Sequence, residues 1–238
     1  MMIATGRMTL WMGLLGLLLA GVGQAQALNK VDAGGRHTCA AINGVVSCWG
    51  SNDYGQAGTT GASTRPRPGR VAGLESELVS DLAVGADHAC AVTRNGQVWC
   101  WGRNTELQLG HSRANTWVAR AQPVRLSNGS PLTGAFAVAA GRAHTCAIGN
   151  GWPHAKCWGS NSLGQIRGAS GTGSLVPVDL MGINGLQIAA GDDHSCVKAF
   201  SAFFCWGSNS HYQIGTWKMS DRINLTVPTF YAYRPFPI

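Results

Sequence analysis

A short segment occurs four times in this chain, and the repetition limits the possible folds more than any other feature. Each copy has Gly-x-x-His, a cysteine two residues later, a second cysteine, and then Trp-Gly-x-Asn-x-x-x-Gln. The histidines are His37, His88, His144 and His194, which lie 51, 56 and 50 residues apart. A period near 50 with strand-type sequence is typical of propellers and solenoids.

The first copy predicts a β-hairpin. Asn43-Gly44 stands between apolar residues, and a type I′ turn needs a positive φ at both central residues, which Asn and Gly tolerate. A two-residue turn at this point places Cys39 directly opposite Cys48 on the paired strand. The spacing therefore predicts a cross-strand disulfide.

The other three copies are predicted to form hairpins in the same way. The second has a three-residue loop at 94–96 with Gly96 in the left-handed position, and the third has a loop at 150–153. The fourth is centred on Phe200 and Ser201, where no Gly or Asn is present. Only the cysteine spacing supports that hairpin.

The eight cysteines fall into four close pairs, which can form disulfides or bind zinc. The members of a pair are separated by eight to ten residues, whereas thiolate zinc sites use spacings of two to four. We therefore predict disulfides. The predicted pairs are Cys39–Cys48, Cys90–Cys100, Cys146–Cys157 and Cys196–Cys205.

The N-terminus has the pattern of a signal peptide over residues 1–27. Arg7 supplies a positive charge, a Leu-rich, charge-free stretch follows, and Ala25-Gln26-Ala27 matches a cleavage site. The alternative is an uncleaved membrane anchor, for which the apolar stretch is short. We expect a mature chain of residues 28–238, secreted or periplasmic and not held in a membrane.

Composition favours many short strands and suggests the chemistry of a partner. Charged residues make up 12% of the chain, and it contains 33 Gly and 9 Trp. The net charge of +7 would suggest nucleic acid in a cytosolic protein. In an exported one it favours another protein or an acidic surface polymer, so no nucleic-acid partner is predicted, and no cofactor is indicated.

Between the repeated segments lies a strand that contains Pro, followed by a small-apolar strand. The repeats are predicted at about 28–70, 71–122, 123–176 and 177–238 of one domain. The first repeat has no Pro strand before it, and residues 227–233 form a spare one at the other end. We expect this C-terminal strand to complete the first blade and close a ring, which would hide sheet edges.

These motifs resemble the repeat of the regulator of chromosome condensation family. The resemblance implies an all-β fold, a β-propeller with four-stranded blades, and the paired cysteines look like those of exported bacterial members. The family's propeller usually has seven blades, whereas this chain supplies four repeats. Four repeats can form a small closed ring, an open arc or half of a two-chain ring.

The resemblance also implies that the protein binds other proteins through the faces of the propeller that carry its loops. Nucleotide exchange on a nuclear GTPase is the best-known family function, and a signal peptide and disulfides argue against it here. Exported relatives include a protein inhibitor of beta-lactamases. Because a fold does not determine a function, this is an analogy.

The residues that recur in every repeat are interpreted as structural. The histidines could surround a common axis and share a metal, or each could bond to the neighbouring backbone, and we favour the second role. The repeated Asn and Gln amides are suited to satisfying backbone groups where strands leave the sheet, and the tryptophans to packing between blades.

Candidate binding residues are the basic and aromatic residues that are not repeated. They follow each repeated Gln, in loops expected to emerge on one face, and Arg and Trp are common at binding hot spots. The alternative is ordinary solvated charge. The candidates are Arg65, Arg67, Arg113, Trp117, Arg120, Trp217 and Arg222.

No catalytic motif for a nucleophile, a zinc protease or a phosphate loop is present. The only adjacent acidic pair, Asp192-Asp193, lies in a repeated turn. We predict a binding module that presents loops on a propeller face. The alternatives are a secreted hydrolase with an axial cleft, or a fragment of a longer propeller with no function of its own.

Overall fold

The computed structural model describes residues 28–166, 171–180, 185–199, 203–215 and 223–226. Its described part is all-β, as predicted, and is built of four-stranded antiparallel sheets. The predicted signal peptide and residues 227–233 lie outside the described residues. No helix that could cross a membrane occurs in the described ranges.

Each sheet is one blade, and its strands follow chain order from one edge to the other. Blade 1 consists of β1 (Lys30–Ala33), β2 (His37–Ile42), β3 (Val45–Ser51) and β4 (Thr64–Arg70). Blade 2 consists of β5 (Val79–Val84), β6 (His88–Thr93), β7 (Val98–Arg103) and β8 (Trp117–Pro123). Blade 3 consists of β9 (Ala135–Ala140), β10 (His144–Gly149), β11 (Ala155–Gly159) and β12 (Ser174–Leu180). Blade 4 consists of β13 (Gln187–Ala190), β14 (His194–Lys198), β15 (Phe203–Gly207) and β16 (Ile223–Thr226).

The predicted hairpins form the middle of each blade. Asn43 and Gly44 have φ values of 52° and 81°, so the turn is built on two left-handed residues as expected. In blade 2, the Thr93 amide donates to the Gln97 carbonyl across the loop 94–96. The predicted fourth turn, at Phe200 and Ser201, lies outside the described residues.

All four predicted disulfides are formed. In each blade the two cysteines are direct cross-strand partners, with a Cα–Cα distance of 4.1 Å. The zinc alternative is wrong, because no cysteine is free. By loop closure, each bond stabilises its blade by roughly 2–3 kcal/mol.

The Pro-containing strands are the outer edges of the blades. Pro66 and Pro68 lie in β4, and Pro177 lies in β12. Because Pro has no N–H to donate, it is tolerated at an edge and discourages pairing with another chain. A Pro strand therefore ends its blade instead of beginning the next.

This order supplies the first blade with a Pro strand of its own. Blade 1 already has four strands, all supplied by residues 30–70. The first repeat therefore does not lack a Pro strand, because β4 occupies the outer position. Ring closure by residues 227–233, which lie outside the described residues, stays a prediction.

The blades are arranged side by side, and their first strands line the concave side. β1 contacts β5, β5 contacts β9, and β9 contacts β13. Among the described strands, β1 and β13 form no comparable contact. The core lies in three layers, one between each pair of neighbouring blades.

The Gly of each Gly-x-x-His turn is required by close packing near the axis. A Cβ atom on Gly85 would lie 2.4 Å from the Gly141 carbonyl oxygen of the next blade and 2.4 Å from Cε1 of His88. A Cβ on Gly141 would lie 2.2 Å from Cε1 of His144. The backbone of the next blade and the imidazole of the same motif thus fill the space that a side chain on this Gly would need. This explains why Gly stands three residues before the His.

We predict that Gly85→Ala destabilises the protein by about 1–3 kcal/mol, because the methyl group must displace backbone of blade 3. Gly171→Ala is the matched control, since its Cβ would meet only Nδ2 of Asn161 at 3.7 Å. Urea unfolding measures both. Equal stabilities of the two variants would contradict the packing argument.

Candidate functional site

The repeated Trp and Gln residues join one blade to the next. The indole Nε1 of Trp101 donates to the main-chain carbonyl of Gln56 at 3.0 Å. Trp158 donates to Gln108 at 2.9 Å, and Trp206 donates to Gln165 at 2.7 Å. These tryptophans are fully buried, so each combines a large apolar area with one satisfied polar atom.

A histidine and a hydroxyl group extend this contact. The Thr145 hydroxyl donates to the same Gln108 carbonyl at 2.9 Å and lies 2.9 Å from Nε2 of His88. Because the hydroxyl has one hydrogen and uses it on the carbonyl, it must accept from the imidazole. Nε2 of His88 therefore carries a proton.

The next interface repeats the arrangement with serine. Nε2 of His144 lies 2.8 Å from the Ser195 hydroxyl, which donates to the Gln165 carbonyl at 3.2 Å. We call this set, in which a His and a Gln carbonyl of one blade meet a hydroxyl and a Trp of the next, the interblade relay. For His88 and His144 the structural interpretation is confirmed, but the partner is a side chain of the next blade and not neighbouring backbone.

The interface between blades 1 and 2 lacks one member of the relay. Ala89 stands opposite Trp101, where Thr145 stands opposite Trp158. With no hydroxyl to meet, buried His37 makes no hydrogen bond of normal geometry through either ring nitrogen.

Burial keeps these imidazoles neutral. It lowers the pKa of His37 to about 4, against the opposing effects of the Asp87 carboxylate and the Ala86 backbone. Burial lowers the pKa of His88 to about 3 and that of His144 to about 4. It also lowers the pKa of His194, which is only half-buried.

The histidines do not converge on an axial metal. His88 and His144 point into separate interblade layers. In the described part of the chain, no three His, Cys, Asp or Glu side chains form a group that could hold a metal ion.

The repeated amides organise the turn after each third strand. Asn52 Oδ1 accepts from the Ala57 amide at 3.0 Å, and its Nδ2 donates to the carbonyls of Thr59 and Ala62. Gln56 Oε1 accepts from the Tyr54 amide at 2.8 Å. Asn104 and Gln108 make the equivalent bonds in blade 2, so the predicted role of the amides is confirmed.

The predicted binding residues do not all lie in loops. Arg65 and Arg67 belong to the outer strand β4, and Trp117 and Arg120 to the outer strand β8, because the Pro strands form the outer edge. The expectation of a single loop face is therefore corrected to a rim of outer strands. Trp217 and Arg222 lie outside the described residues.

Arg65 is occupied within its own blade. Its Nη1 donates to the carbonyl of Ala57 at 3.0 Å and to that of Arg70 at 3.2 Å. Arg67 is exposed on the same strand. Arg65 therefore stabilises its own blade. Of these two arginines, Arg67 is the one that is available to a partner.

Trp117 and Arg120 line one surface groove. Trp117 is 43% exposed and lines a groove of about 510 Å³ that also includes Thr60 and Ala114–Arg120. A smaller hollow of about 170 Å³ adjoins it, between Trp117 and the loop 59–63 of blade 1. Arg113 is exposed in the loop before β8. We call this surface the Trp117 groove.

Arg120 forms the one ion pair of the groove among the described residues. Its guanidinium lies 3.3 Å from the carboxylate of Glu75, and both side chains are exposed. Backbone hydrogen bonds and the Arg120 charge lower the pKa of Glu75. An exposed pair of this kind is weak, so a partner's carboxylate can compete with Glu75.

The axial region differs from the cleft expected of a hydrolase. A cavity of about 320 Å³ is lined by the small residues of the Gly-x-x-His turns and by one carboxylate, Asp192. A second groove, of about 580 Å³, also includes a single carboxylate, Asp81, which pairs with Lys30 at 2.7 Å. Among the described residues, neither contains the carboxylate pair that glycoside hydrolysis needs.

Sequence reasoning missed two acidic residues that link first strands. The Asp32 carboxylate accepts from the Val84 amide at 2.8 Å, and the Asp81 carboxylate accepts from the Val138 amide at 2.9 Å. Each caps an N–H on the free edge of the next blade's first strand. The sequence signal that could have revealed them is a carboxylate inside a short strand of mainly small and apolar residues.

Comparison with known proteins identifies the repeat. Models of the regulator of chromosome condensation (RCC1) repeat match residues 43–92 and 95–148, and a second model of that repeat matches residues 79–108. The ultraviolet-B receptor UVR8 of Arabidopsis thaliana is 28% identical over 199 residues, which are 81% of this chain and 44% of the receptor.

Solved structures show the same fold. Human WBSCR16 superimposes with a TM-score of 0.75 at 23% identity, over 84% of this chain and 52% of that one. Prp20p of Saccharomyces cerevisiae gives a TM-score of 0.71 at 20% identity, over 86% of this chain and 51% of that one. The chain thus spans about half the length of these relatives.

We predict that Ala89→Ser stabilises the protein by about 1 kcal/mol, because its hydroxyl can accept from His37 and donate to the Gln56 carbonyl. The control is Ala91→Ser on the same buried strand, where no relay partner is present, and it should cost about 1–3 kcal/mol. Urea unfolding compares both with the parent. A loss of stability for both would refute the relay at this interface.

We also predict that stability falls as the pH drops below about 6.5. His37, His88 and His144 have folded-state pKa values near 3 to 4, below the ordinary 6.5, so the unfolded chain binds protons that the folded chain does not. The stabilisation is complete above 6.5 and is lost towards pH 4, by up to about 1.4 kcal/mol per pH unit for each histidine. Urea unfolding from pH 7.5 to 4.5 measures it, and His37→Gln should reduce the slope.

Proposed function

The chain belongs to the regulator of chromosome condensation repeat family, and we propose that it is an exported protein-binding module that uses the Trp117 groove. Its partner would be a protein with an acidic, partly apolar segment, such as a loop or an extended peptide. Export to the periplasm or the cell exterior is part of the proposal.

The observation that carries the proposal is the contrast between repeated and non-repeated residues. Repeated residues such as His88, Trp101 and the Gln56 carbonyl make contacts between blades, and repeated Asn52 holds its own turn. Trp117 has no equivalent in that scheme and leaves 43% of its surface exposed beside a groove. A partly exposed Trp near arginines has the composition of a binding hot spot.

The charges of the groove favour an acidic partner. Arg120 lines it, exposed Arg113 directly precedes its lining segment 114–120, and the whole chain carries a net charge of +7. A carboxylate that replaced Glu75 on Arg120 would gain a charge-assisted hydrogen bond beside an apolar ring. The indole would supply the buried apolar contact of such a complex.

Related proteins support binding as the general activity. Prp20p has been described with its binding properties to Gsp1p and histones. Because this chain covers only about half of Prp20p, those partners are not transferred to it. The four disulfides and the signal-like N-terminus support export, since such bonds persist in oxidising compartments.

We predict that Trp117→Ala with Arg120→Ala lowers capture of exported proteins at least tenfold and leaves the melting temperature unchanged. Both side chains are exposed, so little folding energy is lost. The immobilised protein is incubated with the periplasmic and extracellular fractions of its source, and captured proteins are quantified by mass spectrometry.

The matched control is Leu78→Ala with Arg94→Ala, which removes an exposed apolar residue and an exposed Arg at the hairpin end of blade 2. It should capture the same proteins as the parent. Equal capture by all three forms would rule out the Trp117 groove as the binding site.

A further inference from the structure

Blades 1 and 4 are the first and last blades of the described chain. Their outward faces carry the two complementary halves of the interblade relay that joins neighbouring blades. In blade 1, Thr38 stands opposite Trp49, in the same register as Thr145 and Trp158. Blade 1 therefore presents the hydroxyl and the indole of an interblade relay. No preceding blade supplies a His and a Gln carbonyl to them among the described residues.

The blade 1 end is exposed where the same positions are buried elsewhere. Val31 is 66% exposed, whereas Leu82, its register equivalent in blade 2, is 0% exposed. Trp49 is half-buried, and its indole has no acceptor among the described residues, although Trp101 is fully buried and hydrogen-bonded.

The blade 4 end presents the other half. His194 occupies the place of His144, and Gln213 that of Gln165. Within the described ranges, the Gln213 carbonyl accepts no hydrogen bond and His194 meets no hydroxyl of a following blade. Phe203 is 39% exposed on the same side, where its register equivalent Val98 is 0% exposed.

We propose that the blade 4 end of one copy binds the blade 1 end of a second copy. His194 would donate to Thr38 of the second copy, and the Gln213 carbonyl would accept from that Thr38 and from Trp49. The arrangement repeats the contacts seen between blades 2 and 3, with the same residue types in the same register. Apolar Val31 and Phe203 are covered by the same step.

The number of blades in each chain sets the number of copies. The chain superimposes on WBSCR16 and Prp20p with TM-scores of 0.75 and 0.71 while spanning 52% and 51% of their lengths. With four blades in each chain, two copies supply eight blades, one more than the seven usual in the family, which is sufficient for one closed ring. A head-to-tail contact that closes after two copies gives a discrete dimer and not a filament.

The test measures the mass of the purified full chain by light scattering from low to high micromolar concentration. The expected mass is that of two chains. Val31→Glu blocks the blade 1 end and Phe203→Glu blocks the blade 4 end, and each should raise the dissociation constant at least about 100-fold. Trp117→Ala, on the outer rim, is the control and should stay dimeric.

Mixing the two blocked variants shows whether the contact is head to tail. The Val31→Glu chain keeps a free blade 4 end, and the Phe203→Glu chain keeps a free blade 1 end. Their mixture should form a two-chain species that neither forms alone, and circular dichroism of each variant checks its fold. A monomeric parent chain, a dimer insensitive to both substitutions, or a mixture of folded variants that stays monomeric would each overturn the proposal.

Discussion

The hydrogen bond from a buried indole to a main-chain carbonyl of the preceding blade is the contact on which the rest of the structure depends. Trp101, Trp158 and Trp206 each make it, and each is fully buried. A single residue thereby fills the layer between two sheets and fixes their relative position, because the carbonyl lies in a turn held by repeated amides. Without that turn the indole N–H would be buried and unsatisfied.

Two kinds of interaction stabilise the chain, one within each blade and one between neighbouring blades. Each blade is stapled by one disulfide and is thus stabilised locally, whereas the relation between blades rests on three interblade layers. The layers are not equal, since Ala89 leaves the first without the hydroxyl that the others have. Quasi-one-dimensional repeat proteins behave in this way, with nearest-neighbour interfaces that can be strengthened one at a time.

Repetition also separates structure from function. Residues that recur at one register position contribute to the fold where a neighbouring blade is present to meet them, as His88 and His144 show. The residues left for a partner are those outside the pattern, such as Trp117 and Arg120 on the rim. The first and last blades add a second distinction, because each carries repeated residues on a face that no adjoining blade covers among the described residues.

The sequence by itself determined the local structure: the hairpin at Asn43-Gly44, the cross-strand cysteine pairs and the β-propeller class. These depend on turn chemistry and strand register, which act over a few residues. Tertiary structure alone decided the role of each Pro strand, the rim position of Arg67 and Trp117, and the use of Asp32 and Asp81 between blades. Those features depend on the order of the blades and on which face of each blade packs against its neighbour. Such contacts join residues about 50 positions apart, so no local pattern in the sequence specifies them.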